Sequence, residues 1–164
     1  MMEDLTLRKA IQLAITTEQL GADFYARMER NFHEDKELQE IFAQLAKDEK
    51  THEAQFKHIL ENAPEKEADK QQYELFQFLR ATAISEFFRK DAFKDTEKIK
   101  DRDEALGRAL SFEKSTLQYY KAMGDILGKE PKLEEIIAAE RKHVLAIMKV
   151  IVTDAKYRGT EYNW

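Results

Sequence analysis

The chain has 164 residues, 43% hydrophobic and 36% charged, which suits one soluble, highly helical domain over residues 1–164. It lacks cysteine, which excludes disulfide bonds and metal centres held by thiolates. Its net charge of −5 argues against nucleic acid and anionic membranes as partners, and no apolar run is long enough to span a bilayer. The segment Met1–Asp4 lacks the basic and apolar regions of a secretory signal, so a cytoplasmic location is expected.

Two long amphipathic helices are predicted in the first part of the chain. The first runs from about Asp4 to Phe32, and the second from about Asp35, a plausible N-cap, to Leu60, before Pro64. Residues at steps of three and four mark their buried faces. These residues are Leu7, Ile11, Ala14, Glu18, Gly21, Tyr25, Met28 and Phe32 in the first helix, and Leu38, Phe42, Leu45, Glu49, His52, Phe56 and Ile59 in the second.

A long crossover follows. A charged segment over residues 65–70 precedes a shorter predicted helix, and a polar connector extends from 91 to 101. The apolar positions of the short helix are Tyr73, Phe76, Leu79, Ala83 and Phe87. The crossover is rich in aromatic residues beyond the needs of one buried stripe: Phe76, Phe78, Phe87, Phe88 and Phe93. Some of them are expected to cover a partner, which makes a homodimer plausible.

Two more long helices are predicted after the crossover. Gly128 ends the third and Pro131 begins the fourth, a common pairing of a C-terminal glycine with a first-turn proline. The fourth is expected to fray near Arg158-Gly159. The inner faces carry Leu106, Ala109, Glu113, Thr116, Tyr120, Met123 and Leu127 in the third helix, and Leu133, Ile136, Glu140, His143, Ile147 and Val150 in the fourth.

The two halves of the chain are related by an internal repeat. Ala10, Ala14, Glu18, Tyr25 and Met28 match Ala105, Ala109, Glu113, Tyr120 and Met123 at an offset of 95, and Glu49 and His52 match Glu140 and His143 at an offset of 91. The difference between the offsets falls in the loops, so the inner registers are kept. Two similar helical hairpins joined by a long crossover predict an all-α antiparallel four-helix bundle with pseudo-twofold symmetry.

Six ionisable residues fall on the apolar faces of these helices: Glu18, Glu49, His52, Glu113, Glu140 and His143. Burying such groups is costly unless something compensates their charge and polarity. A Glu and a His three residues apart lie on one helix face, so each Glu-x-x-His can give two ligands to one metal ion. The set therefore predicts two divalent metal ions, with iron favoured and manganese the alternative.

These motifs and the repeat around them resemble the ferritin-like di-iron-carboxylate proteins, and most of all the iron domain of the rubrerythrin family. The resemblance covers all four long helices. It implies that Glu49 and Glu140 bridge the two metals, that Glu18 and Glu113 are terminal ligands, and that His52 and His143 each bind one metal.

The chain departs from the family pattern at two positions. Rubrerythrins usually carry another Glu three residues after the third-helix ligand, where this chain has Thr116, and the matching first-helix position is Gly21. The six-ligand set is closer to that of bacterioferritin. However, Lys50 and Thr51 separate Glu49 from His52, so the haem-binding Met of bacterioferritin is absent. The segment after Asp154 is expected to be too short for the fifth helix of ferritin cages.

Three functions remain open, besides oxygenation of a small substrate, which di-iron sites also support. The first is an oxidoreductase that reduces hydrogen peroxide or dioxygen with electrons from a separate redox protein. The second is ferrous oxidation for iron storage or detoxification, a ferroxidase-type role. The third is a non-enzymatic, metal-dependent sensor, or a structural bundle with a vestigial site.

Other polar residues are expected to lie outside the site. His33, in a loop, and His58, off the inner stripe, are predicted to be surface residues, and Glu53 to point to solvent. Glu86 is predicted to be a boundary residue rather than an extra ligand. Tyr25 and Tyr120 are expected mainly to pack in the core, with a hydrogen bond near the metals or radical quenching as the alternative role.

Overall fold

The structure, a computed structural model, describes residues 6–65, 72–88 and 93–157. Within these residues it is all-α and has no strand. The helices are α1 Leu7–Asn31, α2 Lys36–Asn62, α3 Tyr73–Thr82, α4 Arg102–Leu127 and α5 Pro131–Tyr157. A π-helical turn, Ala83–Phe87, continues α3, and a 3-10 turn, Thr96–Lys98, precedes α4. The predicted all-α bundle with an extra helix in its crossover is confirmed.

The helices begin and end where the local sequence can satisfy free backbone groups. The side chain of Thr6 accepts a hydrogen bond from the Lys9 N–H, and that of Asp35, the predicted N-cap of α2, accepts one from the Leu38 N–H. At the end of α4, Gly128 takes a φ of 75°, a backbone conformation that residues with a Cβ rarely adopt.

Several predicted boundaries shift or cannot be placed. Asp4, the charged residues 66–70, Asp91 and Arg158-Gly159 lie outside the described residues. The connector before α4, predicted to be polar, is partly buried in the protein, because Thr96 and Ile99 are buried. The side-chain amide of Asn31 donates to the backbone carbonyls of both residues, at 2.9 and 3.1 Å. The end of the crossover is therefore docked on the end of α1.

The four long helices form two hairpins that pack against each other. Because the connectors between α1 and α2 and between α4 and α5 span only a few residues, each pair is antiparallel. Helix α1 packs along α2 and α4 along α5, while the α1–α4 and α2–α5 contacts join the two hairpins. Helix α3 lies against α4. The bundle interior is thus enclosed by one face from each of the four long helices.

A single arginine joins three helices at one end of the bundle. The Arg102 guanidinium donates to Asp154 on α5 at 2.8 Å, to Glu37 on α2 at 2.9 Å, and to the N-cap Asp35. Burial would raise the pKa of Asp35, but the Leu38 N–H and Arg102 outweigh it and hold the pKa below its ordinary value. This network fixes the start of α2 and α4 against the end of α5.

The aromatic residues of the crossover divide into two groups. Phe76 and Phe87 are buried and Phe93 is partly buried against the bundle, whereas Phe78 and Phe88 are 46% and 38% exposed. The exposed pair shows that part of the α3 region faces away from the core. A homodimer through this face remains a prediction.

Candidate metal centre

All six residues singled out by the repeat meet in the middle of the bundle. Helices α1 and α4 each supply one glutamate, and α2 and α5 each supply a Glu-x-x-His pair. None of these six residues is more than 6% exposed: Glu18, Glu49, His52, Glu113, Glu140 and His143. The structure therefore places all six in one buried cluster, as their helical spacing requires.

The cluster divides into two overlapping sets of four ligands. Glu18 and His52 belong to one set and Glu113 and His143 to the other, while Glu49 and Glu140 belong to both. In each set, one potential ligand atom per residue lies within 4.8 Å of the others. This sharing is the geometry expected when two carboxylates lie between two metal positions.

The shared glutamates each direct one oxygen towards each histidine. The two oxygens of Glu49 lie 3.6 Å from His52 Nδ1 and 3.6 Å from His143 Nδ1. The oxygens of Glu140 lie 2.8 Å from His52 Nδ1 and 3.7 Å from His143 Nδ1. Both imidazoles therefore turn Nδ1 inward, and their rings stack with centroids 5.5 Å apart.

The terminal glutamates are each held by a tyrosine from the other hairpin. Tyr25 on α1 donates its hydroxyl hydrogen to Glu113 on α4, and Tyr120 on α4 donates to Glu18 on α1. Packing was the expected main role of both tyrosines, and both are indeed fully buried. Their hydrogen bonds give them a second role, because they cross-link the two hairpins through the ligand residues themselves.

Other polar contacts around the cluster were not predicted from the sequence. Asp48 Oδ2 lies 3.1 Å from His143 Nε2 on the outer side of that ring. The hydroxyl of Thr116 lies 3.2 Å from Glu140 Oε2 and 2.9 Å from the backbone carbonyl of Glu113, so it can donate to either. The sequence feature that could have indicated a role for Asp48 is its position directly before Glu49, although Asp48 lies off the apolar stripe of α2.

Gly21, the repeat counterpart of Thr116, leaves room for an aromatic ring. A Cβ placed on Gly21 would come within 2.8 Å of the Phe112 side chain and 3.4 Å of Glu49 Cγ. A larger residue at this position would have to displace Phe112, which is itself mostly buried. The absence of a side chain here allows the bundle to close around the cluster.

Burial is the largest influence on the pKa values of Glu49, Glu113 and Glu140. Burial and the neighbouring Glu140 carboxylate, opposed by His143, together raise the pKa of Glu113 to about 8. Burial, together with the neighbouring carboxylates, raises the pKa of Glu49 well above its ordinary value. Burial also disfavours ionised Glu140, but His143 and His52 outweigh it and lower the pKa of that carboxyl.

The imidazoles respond in the opposite way. Burial lowers the pKa of His52, but Glu140 and Glu18 outweigh it and raise the value to about 9. For His143, Glu113 and Glu140 outweigh burial and raise the pKa to about 11. Protons on these groups balance the cluster charge when no metal is bound, and metal ions would replace them.

Several buried atoms of the cluster have no hydrogen-bond partner among the described residues. They are Glu18 Oε2, Glu49 Oε1, His52 Nδ1 and Glu140 Oε1. Although His52 Nδ1 and Glu140 Oε1 lie 2.8 Å apart, they are not aligned as a hydrogen bond. Unsatisfied buried oxygens and nitrogens are costly, and a metal ion coordinated by them would remove that cost. The cluster therefore fits a pair of oxygen- and nitrogen-bound metal ions.

A pocket reaches the cluster from outside, between α2 and α5. Its volume is about 330 Å³, and the rings of His52 and His143 form part of its wall. The other lining residues are Asp48, Thr51, Gln55, Glu135, Ala139 and Lys142. Small molecules or ions can approach the histidine side of the cluster through this opening.

The remaining candidate residues lie away from the cluster, as predicted. His33 and His58 are exposed, whereas Glu53, predicted to point to solvent, is half-buried with its side chain 18% exposed, because it is bonded to Gln19 and Lys57. Glu86 is also exposed; its carboxylate is 3.5 Å from the Ser115 hydroxyl and belongs to neither ligand set.

Comparison with known proteins agrees with this geometry. A family model described as Rubrerythrin matches residues 9–91, half of the chain, which include Glu18, Glu49 and His52. The chain belongs to the rubrerythrin family. Membership of the rubrerythrin family implies a di-iron centre, and the second half of its ligand set here comes from α4 and α5, outside the matched residues. No curated protein and no solved structure matches the chain. Among the residues described, no helix combines the length and apolar character needed to cross a membrane.

Proposed function

We propose that this protein is a di-iron-carboxylate oxidoreductase that reduces hydrogen peroxide or dioxygen with electrons from a separate donor. The observation that carries the proposal is the pair of overlapping ligand sets with shared Glu49 and Glu140. A single structural metal would need only one such set, whereas dinuclear sites place two ions about 3.5–4 Å apart. The family relationship supports iron as the metal.

The six cluster residues act as ligands in this proposal. Glu18 and His52 would hold one ion, Glu113 and His143 would hold the other, and Glu49 and Glu140 would contribute to both. Four carboxylates cancel the charge of two divalent ions, so the buried cluster becomes neutral when loaded. Iron suits these oxygen and nitrogen donors, with manganese the alternative metal.

The surrounding residues control what the centre can do. Bound iron would supply the change between ferrous and ferric states that reduces the oxidant. Tyr25 and Tyr120 hold the terminal glutamates in place, and Thr116 can donate a hydrogen bond to Glu140 as the carboxylates adjust. The pocket beside His52 and His143 is wide enough for peroxide or dioxygen to reach the histidine side of the centre.

Electrons must reach the centre from another redox group. The 164 residues contain no cysteine and therefore no thiolate-held iron centre that could pass electrons on. We therefore propose a redox donor outside these residues. It would restore the ferrous state after each reduction of oxidant.

A ferroxidase-type role in iron handling is the second candidate, and the pocket favours it. Two carboxylates, Asp48 and Glu135, and one ammonium group, Lys142, line the opening beside the histidines. The carboxylate oxygens outnumber the ammonium group and are ligands that attract ferrous ions. In that case ferrous iron is itself a substrate, and ferric product leaves the centre after oxidation.

Metal analysis followed by single-turnover kinetics tests both functions. The protein is loaded with ferrous iron anaerobically, its iron content is measured, and it is then mixed with peroxide or dioxygen while absorbance is recorded. An oxidoreductase keeps two irons per chain and turns over repeatedly with an artificial reductant. A ferroxidase instead oxidises excess ferrous iron and releases it. Iron that binds but reacts with neither oxidant would reject both functions and favour a metal-dependent sensor.

A further inference from the structure

We infer that the two metal positions are unequal, and that the position formed by Glu113 and His143 binds the first ion and holds it more tightly. This inference rests on the metal centre proposed above and adds an order of filling to it. It is supported by a set of side chains that contact the ligands. The repeat preserves the ligands but does not preserve these contacting side chains. For brevity, the Glu113–His143 position is called position B, and the Glu18–His52 position is called position A.

The ligands themselves give no reason for a difference. Each position has one terminal glutamate, one histidine Nδ1 and a share of Glu49 and Glu140. Each terminal glutamate accepts a hydrogen bond from a tyrosine of the other hairpin. The two positions thus have the same types of ligand, and they differ in the residues behind the ligands.

The first difference lies behind the histidines. Asp48 Oδ2 is 3.1 Å from His143 Nε2, so the carboxylate can accept the Nε2 hydrogen and fix the ring with Nδ1 facing the metal. The repeat offset of 91 places Ala139 where an equivalent partner for His52 would stand. Among the described residues, no carboxylate lies within 4.0 Å of His52 Nε2. Only the imidazole at position B has this carboxylate support.

The second difference lies behind a shared glutamate. The Thr116 hydroxyl is 3.2 Å from Glu140 Oε2, the oxygen of Glu140 that faces His143. Its repeat counterpart is Gly21, which has no side chain to support Glu49, and the space there is occupied by the Phe112 ring. Thr116 shares its one hydroxyl hydrogen between the Glu113 carbonyl at 2.9 Å and this oxygen, so it can orient an oxygen on the position B side. The symmetric contact is missing at position A.

Both differences act in the same direction. Partners that orient metal ligands typically change metal affinity or activity by about 10- to 100-fold when they are removed. Position B has two such partners, and position A lacks the counterpart of each. At limiting metal, the protein should therefore hold one ion per chain, at position B.

Anaerobic titration with Co²⁺ tests the order of filling, because calorimetry and the visible absorption of bound cobalt both report each equivalent. We expect two steps in the unmodified protein. Asp48→Ala should weaken the first step by about 10- to 100-fold. Ala139→Asp is the matched gain-of-contact variant: both positions line the same pocket, and the substitution should strengthen the second step. A purely structural role for Asp48 would change the melting temperature in chelator but leave both metal affinities unchanged.

Single-histidine variants assign the first step to a position. His52→Ala should retain one tightly bound Co²⁺, whereas His143→Ala should lose the tight step, and metal-free melting curves check that both variants fold. Two equal steps in the unmodified protein, or a tight step retained only in His143→Ala, would overturn the inference while leaving the dinuclear centre intact. If the unmodified protein binds no Co²⁺, both the inference and the proposed metal centre fail.

Discussion

The Tyr25 hydroxyl on α1 donates a hydrogen bond to the Glu113 carboxylate on α4, across the interface between the two helical hairpins. The repeat produces the reciprocal contact from Tyr120 to Glu18. Each hairpin thus positions a metal-ligand candidate that belongs to the other. Assembly of the bundle and organisation of the candidate metal centre are therefore coupled through the same four side chains.

Removing either tyrosine hydroxyl should affect both stability and metal binding. Tyr25→Phe or Tyr120→Phe leaves a buried carboxylate oxygen without its donor, which should destabilise the fold by about 1–3 kcal/mol in denaturant unfolding. Metal affinity should also fall, because the terminal glutamate is no longer held. Tyr119→Phe is the matched control, since its hydroxyl donates at 2.9 Å to the backbone carbonyl of Ala10 rather than to a ligand. Equal loss of metal affinity in all three variants would contradict this assignment.

Metal removal should lower the melting temperature. Without metal, the buried carboxylates and imidazoles retain unsatisfied atoms and depend on protons for charge balance. Metal at about 100 times its dissociation constant should add about 2.7 kcal/mol of stability, which corresponds to roughly 5–10 °C. Thermal unfolding with and without chelator measures the shift. An unchanged midpoint after confirmed metal removal counts against a site that is coupled to folding.

Truncating a shared glutamate should prevent assembly of two metals. Glu49→Ala or Glu140→Ala removes an oxygen from both ligand sets, so metal content should fall below two ions per chain and oxidant consumption should stop. His58→Ala, on the exposed side of α2, serves as the control and should retain both properties. Unmodified turnover in either glutamate variant would reject the proposed mechanism, and equal loss in all three would indicate general unfolding.

The metal-free protein should become less stable as pH rises. His52 and His143 have folded pKa values of about 9 and 11, above the ordinary value of 6.5, so their stabilisation is complete below pH 6.5 and is lost as pH rises through the folded values. Glu113 acts in the same direction, because its pKa is raised from 4.5 to about 8. Glu140 has a lowered pKa and stabilises the fold above about pH 4.5, an effect that is lost in acid.

Denaturant unfolding in chelator from pH 5 to pH 10 measures this dependence. We expect the free energy of unfolding to fall between about pH 6.5 and pH 9. The metal-loaded protein should lose less stability over this range, because metal ions compete with fewer protons as pH rises. A metal-free protein that gains stability towards pH 9 would show that these ionisations do not dominate the buried cluster.

The sequence predicts the fold and the six central residues because both depend on helical periodicity. Glu18 and Glu113 stand out since they interrupt apolar stripes, and the fixed spacing of Glu49 and His52 places both on one face. The Tyr25–Glu113 contact could not be predicted in the same way, because it depends on how two helices cross. Asp48 was missed because it lies off the buried stripe and reaches His143 only when α2 and α5 meet.

Two glycines should respond in opposite ways to the same substitution. Gly21→Ala places a Cβ within 2.8 Å of the buried Phe112 ring, and this overpacking should destabilise the fold by about 1–3 kcal/mol. Gly107→Ala is the matched control: it lies inside α4, is exposed, and its Cβ would have no neighbour within 4 Å. Alanine there should stabilise the protein by about 0.5–1 kcal/mol, because glycine costs that much in a helix interior.

Denaturant unfolding of the two variants compares these effects directly. Gly21→Ala should cost less stability when it is added to Phe112→Leu than when it is added to the unmodified protein, because its clash is with the Phe112 ring. Equal stability gains at both glycines would show that Phe112 moves aside without cost, and that Gly21 is not required for closure of the bundle around the centre.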